Sequence, residues 1–314
     1  GRDVVTVGES WNVTTDSALL YCGRGRGELD MLFQFQHIVA GWDAVHGKWH
    51  PHPLDLVGFK KVWTDWQRAL EGDGWNALFL NNHDLPRSVS RYGDAGQLRE
   101  RSAKALATAI HLMRGTPFVF QGEEIGMTNA GFTAIAQYRD IELITMHREM
   151  LAQGLPEYEF LEGAGITARD NARTPMQWDA SPGAGFTTGT PWIAINPNHA
   201  DINVAAQRDD PQSVLAHYRR LIALRKRHAV IVQGRFVPWL EDHPRIWAYA
   251  REWGGQRLSV LCNISSKPVR ADVPPGLAVS GACLIGTAKP RPSVPPGPIT
   301  LEPWEAVAVL GNPG

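Results

Sequence analysis

Two short apolar runs that end in polar clusters constrain this chain more than anything else in it. Ala77-Leu78-Phe79-Leu80 reads as a buried strand and runs straight into Asn81-Asn82-His83-Asp84. Val4-Val5-Thr6-Val7 is a β-branched run that ends in Gly8-Glu9-Ser10-Trp11. A barrel of parallel strands carries its chemistry at such carboxyl ends, on the face where strands open into loops. Each run delivers one carboxylate, Glu9 or Asp84, with Trp11 and His83 beside them. Paired carboxyl groups of this kind are the equipment for cleaving a glycosidic bond.

The rest of the first 125 residues alternates in the same way. Strands are expected over 4–8, 29–35, 77–80 and 118–120, and helices over 57–71 and 99–113. The second of these helices stops at Gly115-Thr116-Pro117. Strands joined by helical crossovers form a parallel sheet. Residues 126–207 are rich in Gly, Pro, Asn and Asp and only weakly periodic. A segment of that length in a compact domain is commonly functional. A helix is expected over 135–153, a compact loop over 169–198 and a further helix over 212–226. The pattern then changes. Short alternating runs at 235–240, 246–251, 258–263, 282–285 and 306–310 are separated by Pro- and Gly-rich turns, which is the signature of a small antiparallel β domain. The expected division is 1–229 and 230–314.

Composition excludes several classes. A net charge of −1 over 314 residues gives no electrostatic footprint for nucleic acid or an anionic membrane. No apolar run is long enough to span a bilayer. The three cysteines are odd in number and widely spaced, which fits neither a disulfide framework nor a metal site and suits a reducing cytoplasm. Twelve Trp allow both a generous core and stacking surfaces for sugar rings.

The segments VGESW, NNHDLPR, HLMRGTPFVFQGEEIGMTN (111–129) and RDNARTPMQWD (169–179) resemble the α-amylase superfamily of glycoside hydrolases. The nearest branch is oligo-1,6-glucosidase and dextran glucosidase, with trehalose-6-phosphate hydrolase close by. The resemblance implies the second half of a TIM (β/α)₈ barrel, holding its last four strands, followed by a small antiparallel β-sandwich. That family carries its nucleophilic aspartate in a segment like DGFRxDV, on a strand before the one bearing Glu9. The 314 residues contain no such segment, so the chain is expected to be the carboxyl-terminal portion of a longer enzyme, inactive and poorly stable alone.

Taken alone, Glu9 could be a solvated loop acid, and Asp84 with its asparagines a helix-capping turn. The resemblance makes Glu9 the general acid/base. It makes Asp84, with His83, the group that grips sugar hydroxyls as the ring distorts. Arg169, otherwise a loop salt bridge, is implied to face the non-reducing terminal glucose and so to close the pocket behind it. Arg173 ranks second for that role. Trp11, Lys48 and Glu142 match positions bordering the second sugar and together favour an α-1,6 bond.

The substrate class implied is an oligosaccharide, with no cofactor, no metal, no nucleic acid and no membrane. Sucrose isomerases of the branch carry an arginine-rich loop where this chain has Val39-Ala40-Gly41-Trp42-Asp43, which favours hydrolysis. Trehalose-6-phosphate hydrolase and a general α-glucosidase are the alternatives within the class. A non-catalytic fragment, or a fold relative that has lost its acids, is the alternative outside it. The presence of Glu9, His83 and Asp84 argues against the acid-less relative.

Overall fold

The computed structural model describes residues 4–313. Four parallel strands lie side by side in chain order. They are β1 (Val7–Glu9), β2 (Met31–Phe33), β3 (Ala77–Leu78) and β4 (Thr116–Pro117). β1 pairs with β2 and β3 with β4, and a parallel bridge from Leu32 to Asn76 joins the two pairs. Between successive strands run helices α1 (Thr15–Cys22), then α2 (Gln36–Val39) and α3 (Leu56–Ala69), then α4 (Ser88–Tyr92) and α5 (Arg99–His111). Neighbours that follow chain order without reversal wind in one direction, as in a (β/α)₈ barrel and unlike a doubly wound sheet. This is the second-half barrel that the sequence implies.

The strands are shorter than expected, each for a local reason. Val4 and Val5 are exposed, because the Thr6 N–H donates to the Asp30 carboxylate (2.7 Å) instead of to a ladder partner. The fourth strand lies at 116–117 rather than 118–120. Gly115, at φ +140°, packs against the Asn76 backbone. The Thr116 and Phe118 N–H groups then donate to the Asn76 and Leu78 carbonyls at 2.8 Å. Phe120 already belongs to the following turn, its carbonyl accepting from the Glu123 N–H.

The segment beyond β4 is more ordered than its composition suggests. The expected helix over 135–153 is broken. A short turn at Ile135–Gln137 precedes α6 (Ile141–Ala152), because the Arg139 and Asp140 N–H groups turn aside to donate to the Asp170 carboxylate at 2.6 and 2.9 Å. A helix that was not expected, α7 (Glu157–Thr167), follows. Then come α8 (Val204–Gln207), α9 (Val214–Arg227) and α10 (Ala229–Gln233). α10 lies across the expected division at 229/230.

The remainder is antiparallel. Strands β5 (Arg235–Trp239), β6 (Ile246–Trp253), β7 (Gln256–Asn263), β9 (Val279–Gly286), β10 (Ser293–Val294) and β12 (Ala306–Pro313) form one sheet. Its order is β10-β9-β12-β7-β6-β5. β8 (Val269–Val273) and β11 (Gly297–Leu301) form a two-stranded sheet against it. β8, β10 and β11 were not expected from the sequence. Six residues of β6 are buried in succession rather than in alternation, because both faces are covered. Trp247 and Tyr249 join the core under the barrel helices, whereas Ile246, Ala248 and Ala250 join the core between the two sheets. β12 divides likewise, Ala306, Ala308 and Leu310 to one side and Val307 and Val309 to the other.

Polar contacts tie the two halves together. The buried Lys60 of α3 donates to the carbonyls of Leu240, His243 and Ile246 at 2.5, 2.7 and 2.8 Å. The Tyr249 hydroxyl donates to the Ala109 carbonyl of α5 at 2.8 Å. Among the described residues no helix is long and apolar enough to cross a membrane.

Candidate active site

A cleft of about 630 Å³ opens beyond the carboxyl ends of the parallel strands. It brings together Trp11, Lys48, Asp84, Glu142 and Arg169, five of the seven residues singled out in the sequence. They come from five separate segments, so only the tertiary fold makes them neighbours.

One wall is aromatic. Trp11 follows β1 and stacks on Phe35 at 3.9 Å between ring centroids, with Trp42 6.1 Å away. Trp11 is 41% exposed and lines the cleft, so its ring offers apolar surface there. The opposite wall is a charge network. Arg169 presents its fork to Asp140, Nε to Oδ2 at 2.5 Å and Nη2 to Oδ1 at 2.7 Å. Its Nη1 reaches Asp84 Oδ1 at 3.2 Å, and its Nη2 lies 3.5 Å from Glu142. Lys48 Nζ donates to Glu142 at 2.8 Å and lies 4.8 Å from the Trp49 ring centre. Arg173 donates from Nη2 to Asp84 Oδ1 at 2.7 Å and from Nε to the His83 carbonyl at 2.8 Å.

Local structure explains these placements. The Asp84 N–H donates to the Asn82 side chain at 2.8 Å, which folds the polar cluster into a turn at the end of β3. Asp140 is the N-cap of α6, accepting from the Glu142 N–H at 3.1 Å, and Glu142 stands in the first turn. Lys48 sits on a loop closed by Asp43 and Gly47 and tied down where the Thr167 hydroxyl donates to its carbonyl at 2.6 Å.

Burial would push the Asp140 carboxyl up. The hydrogen bonds and charge of Arg169, helped by the Glu142 N–H and the Arg173 charge, outweigh that and hold it below the usual carboxylate range. The Arg169 guanidinium is correspondingly raised, chiefly by its hydrogen bonds to Asp140. A fixed cation of this kind can serve as a hydrogen-bond donor but not as a proton source.

Glu9 and His83 are not among the cleft-lining residues. Glu9 is exposed at the end of β1, in register with Phe33. The His83 ring is largely exposed, its Nε2 3.2 Å from Asp84 Oδ2. Two residues of the network escaped the sequence reading, Asp140 and Asp170. An aspartate directly ahead of a helix was the available signal for Asp140, but it was hidden inside a helix placed too early. Among the described residues no group of three or more His, Cys, Asp or Glu is arranged to hold a metal ion, and all three cysteines are free.

Comparison with known proteins agrees with this architecture. Residues 1–234 match the family described as alpha-amylase, catalytic domain. The chain is 46% identical to an oligo-1,6-glucosidase from Halalkalibacterium halodurans, over 99% of its own length and 55% of the relative's. It is 44% identical to a palatinase from Erwinia rhapontici, over 98% of its length and 57% of the relative's. The solved trehalose-6-phosphate hydrolase of Bacillus licheniformis superposes with a TM-score of 0.92 at 39% identity, covering 98% of this chain and 56% of that one. The chain thus spans about half the length of the curated relatives it matches. With four parallel strands in barrel order, a cleft at their carboxyl ends and this match over most of its length, the chain belongs to the α-amylase family of glycoside hydrolases.

Proposed function

We propose that this chain forms the acid/base and sugar-gripping side of an exo-acting, retaining α-glucosidase that cuts α-1,6 bonds at the non-reducing end of short oligosaccharides. The observation that carries this reading is Arg169, forked on Asp140 and reaching both Asp84 and Glu142 in the same cleft as Trp11 and Lys48. A guanidinium held there meets the hydroxyls of a terminal sugar and leaves no room for a longer chain behind it. Asp84, with His83, grips that sugar as its ring distorts. Trp11, Lys48 and Glu142 border the second sugar. Glu9 protonates the departing oxygen and then activates water. The attacking carboxylate comes from a segment like DGFRxDV that these 314 residues do not contain. Hydrolysis rather than isomerisation fits the arginine-free stretch Val39–Asp43. The sugar chemistry belongs to 1–229, with 230–314 as a supporting β domain, and the three free thiols fit a reducing cytoplasm.

The test is complementation. The chain is assayed on isomaltose, maltose and trehalose 6-phosphate, alone and mixed with the amino-terminal half of the Halalkalibacterium oligo-1,6-glucosidase. Turnover only in the mixture, fastest on isomaltose, is the expected result. A preference for trehalose 6-phosphate would replace the assignment with the phosphorylated disaccharide. No turnover in the mixture, together with no binding of isomaltose, would overturn it.

A further inference from the structure

Asp140 touches none of the cleft, yet it is bonded to two groups that do. Its side chain is 2% exposed. Oδ2 accepts from Arg169 Nε, while Oδ1 accepts from Arg169 Nη2 and from the Glu142 N–H. The backbone N–H of Asp140 in turn donates to the fully buried Asp170 at 2.9 Å, as does the Arg139 N–H at 2.6 Å. The chain of support runs from Asp170 to Asp140, and from Asp140 to both Arg169 and the start of α6.

The donors on Arg169 show what this support does. A guanidinium has five N–H groups in a rigid fork. Asp140 takes two, which leaves three for the cleft. The competing acceptors are Asp84 and Glu142, whose side chains are 24% and 40% exposed. Without Asp140, the guanidinium would fold onto these two and cover the Asp84 oxygens that a sugar needs. The same carboxylate caps the helix that presents Glu142, so the arginine and the glutamate move as one unit.

We propose that Asp140 is a positioning residue. It limits Arg169 to the single Nη1 contact with Asp84 at 3.2 Å and locks the Arg169 fork to the first turn of α6, so that the two ends of the sugar site keep a fixed spacing. The proposal deepens the glucosidase reading and rests on it for its effect on substrate, but the clamp itself can be tested without substrate.

Asn and Asp cap helices about equally well, so Asp140→Asn keeps the cap and removes the charged clamp, whereas Asp140→Ala removes both. The Arg169 Nε–H resonance of the full chain is followed by NMR and assigned by its loss in Arg169→Lys. In the wild-type chain it should exchange slowly. In Asp140→Asn its exchange should accelerate at least tenfold, by analogy with loss of a fixed hydrogen-bonded geometry, while the Glu142 backbone amide stays protected. In the complemented enzyme Asp140→Asn should lower kcat/KM on isomaltose roughly 10- to 100-fold, the scale expected when a binding group is misplaced, with the larger part in KM. A slow Arg169 signal that persists in Asp140→Asn would overturn the clamp. A lost signal with unchanged KM would overturn its role in positioning. A wild-type melting temperature and KM in Asp140→Asn, with a lower melting temperature and a raised KM only in Asp140→Ala, would reduce Asp140 to a structural cap. If the mixture hydrolyses no glucoside at all, the glucosidase reading fails and the NMR arm still decides the clamp.

Discussion

The carbonyl oxygen of Trp49 lies 1.7 Å from where a Cβ on Gly163 would stand. Helix α7 and the loop carrying Lys48 are therefore in backbone contact, and only glycine allows that approach. Gly163→Ala must push the loop away. It should cost about 1–3 kcal/mol, as forced overpacking does, and weaken isomaltose binding through displacement of Lys48. Urea titration with calorimetric binding checks both. A variant with wild-type stability would show that the loop has room to give.

Lys60 carries a second backbone-level contact. Removing its ammonium leaves the half-buried carbonyls of Leu240 and His243 and the buried carbonyl of Ile246 without that donor. Each stranded acceptor costs about 1–3 kcal/mol. Lys60→Met should therefore destabilise the chain by about 3 kcal/mol or more, and the loop around 240–246 should lose amide protection first. Hydrogen exchange that is unchanged in this loop would contradict the assignment.

Stability should fall steeply on mild acidification. Burial holds His37, His111 and His217 neutral, each lowered to about 3. As pH drops below about 6.5, the unfolded chain binds three protons that the folded chain refuses. Glu123 works the other way. Burial, opposed by the hydrogen bond from the Tyr218 hydroxyl, pushes it up to about 7, so the folded chain binds one proton that the unfolded chain releases above about pH 4.5. These four groups alone give a net of 3 − 1 = 2 protons favouring the unfolded state between about pH 4.5 and 6.5; His228 and His243, also lowered, act in the same direction, and Glu124, raised by burial, in the opposite one. That net corresponds to a loss of roughly 3 kcal/mol per pH unit. Asp140 is ionised in both states in this window and adds nothing. A flat urea midpoint from pH 7 to pH 5 would rule out the buried neutral imidazoles.

In the complemented enzyme Glu9→Gln and Asp84→Asn should behave differently. Loss of a general acid costs roughly 10²–10⁴-fold where the leaving oxygen is basic. Glu9→Gln should therefore abolish isomaltose turnover and spare an activated aryl glucoside. Asp84→Asn should depress both, because on the proposed reading Asp84 acts on the sugar ring. Equal losses on both substrates in Glu9→Gln would remove Glu9 as the acid.

Lys48→Ala should narrow the preference for isomaltose over maltose. Lys48 holds Glu142 at 2.8 Å, and a hydrogen bond to a charged group discriminates by about 1.5–3 kcal/mol. The ratio of kcat/KM on the two disaccharides reports it. An unchanged ratio would leave the linkage reading standing and dismiss Lys48 from it.

What could be read from the sequence follows from how far apart the deciding interactions lie. The strand ends at Glu9 and Asp84 were legible because a β-branched or apolar run followed by a polar cluster is a local pattern. So were α3 and α5, where the apolar spacing is strong. α7 was missed because Gly163 and Gly165 weaken its propensity, and the contact that requires Gly163 is made by Trp49, far away in the chain. The start of α6 was misplaced because Asp170, some thirty residues later, draws off the Arg139 and Asp140 N–H groups. Five of the seven residues named by resemblance line the cleft and Glu9 and His83 do not, while the pairing of Arg169 with Asp140 has no local signature.

The alternation of β6 and β12 between two cores has a consequence for exchange of parts among relatives. Inserting or deleting one residue in either strand would turn Trp247 or Ala306 away from the barrel helices and deliver their neighbours in their place. Turns such as the one at Gly254 and Gly255, both at positive φ, can change length freely, but the strands cannot. A carboxyl-terminal domain taken from a relative would bring one face fitted to its own sandwich and another fitted to foreign helices. Such a chimera should fold only when the outer faces of α5 and α9 are carried over with it.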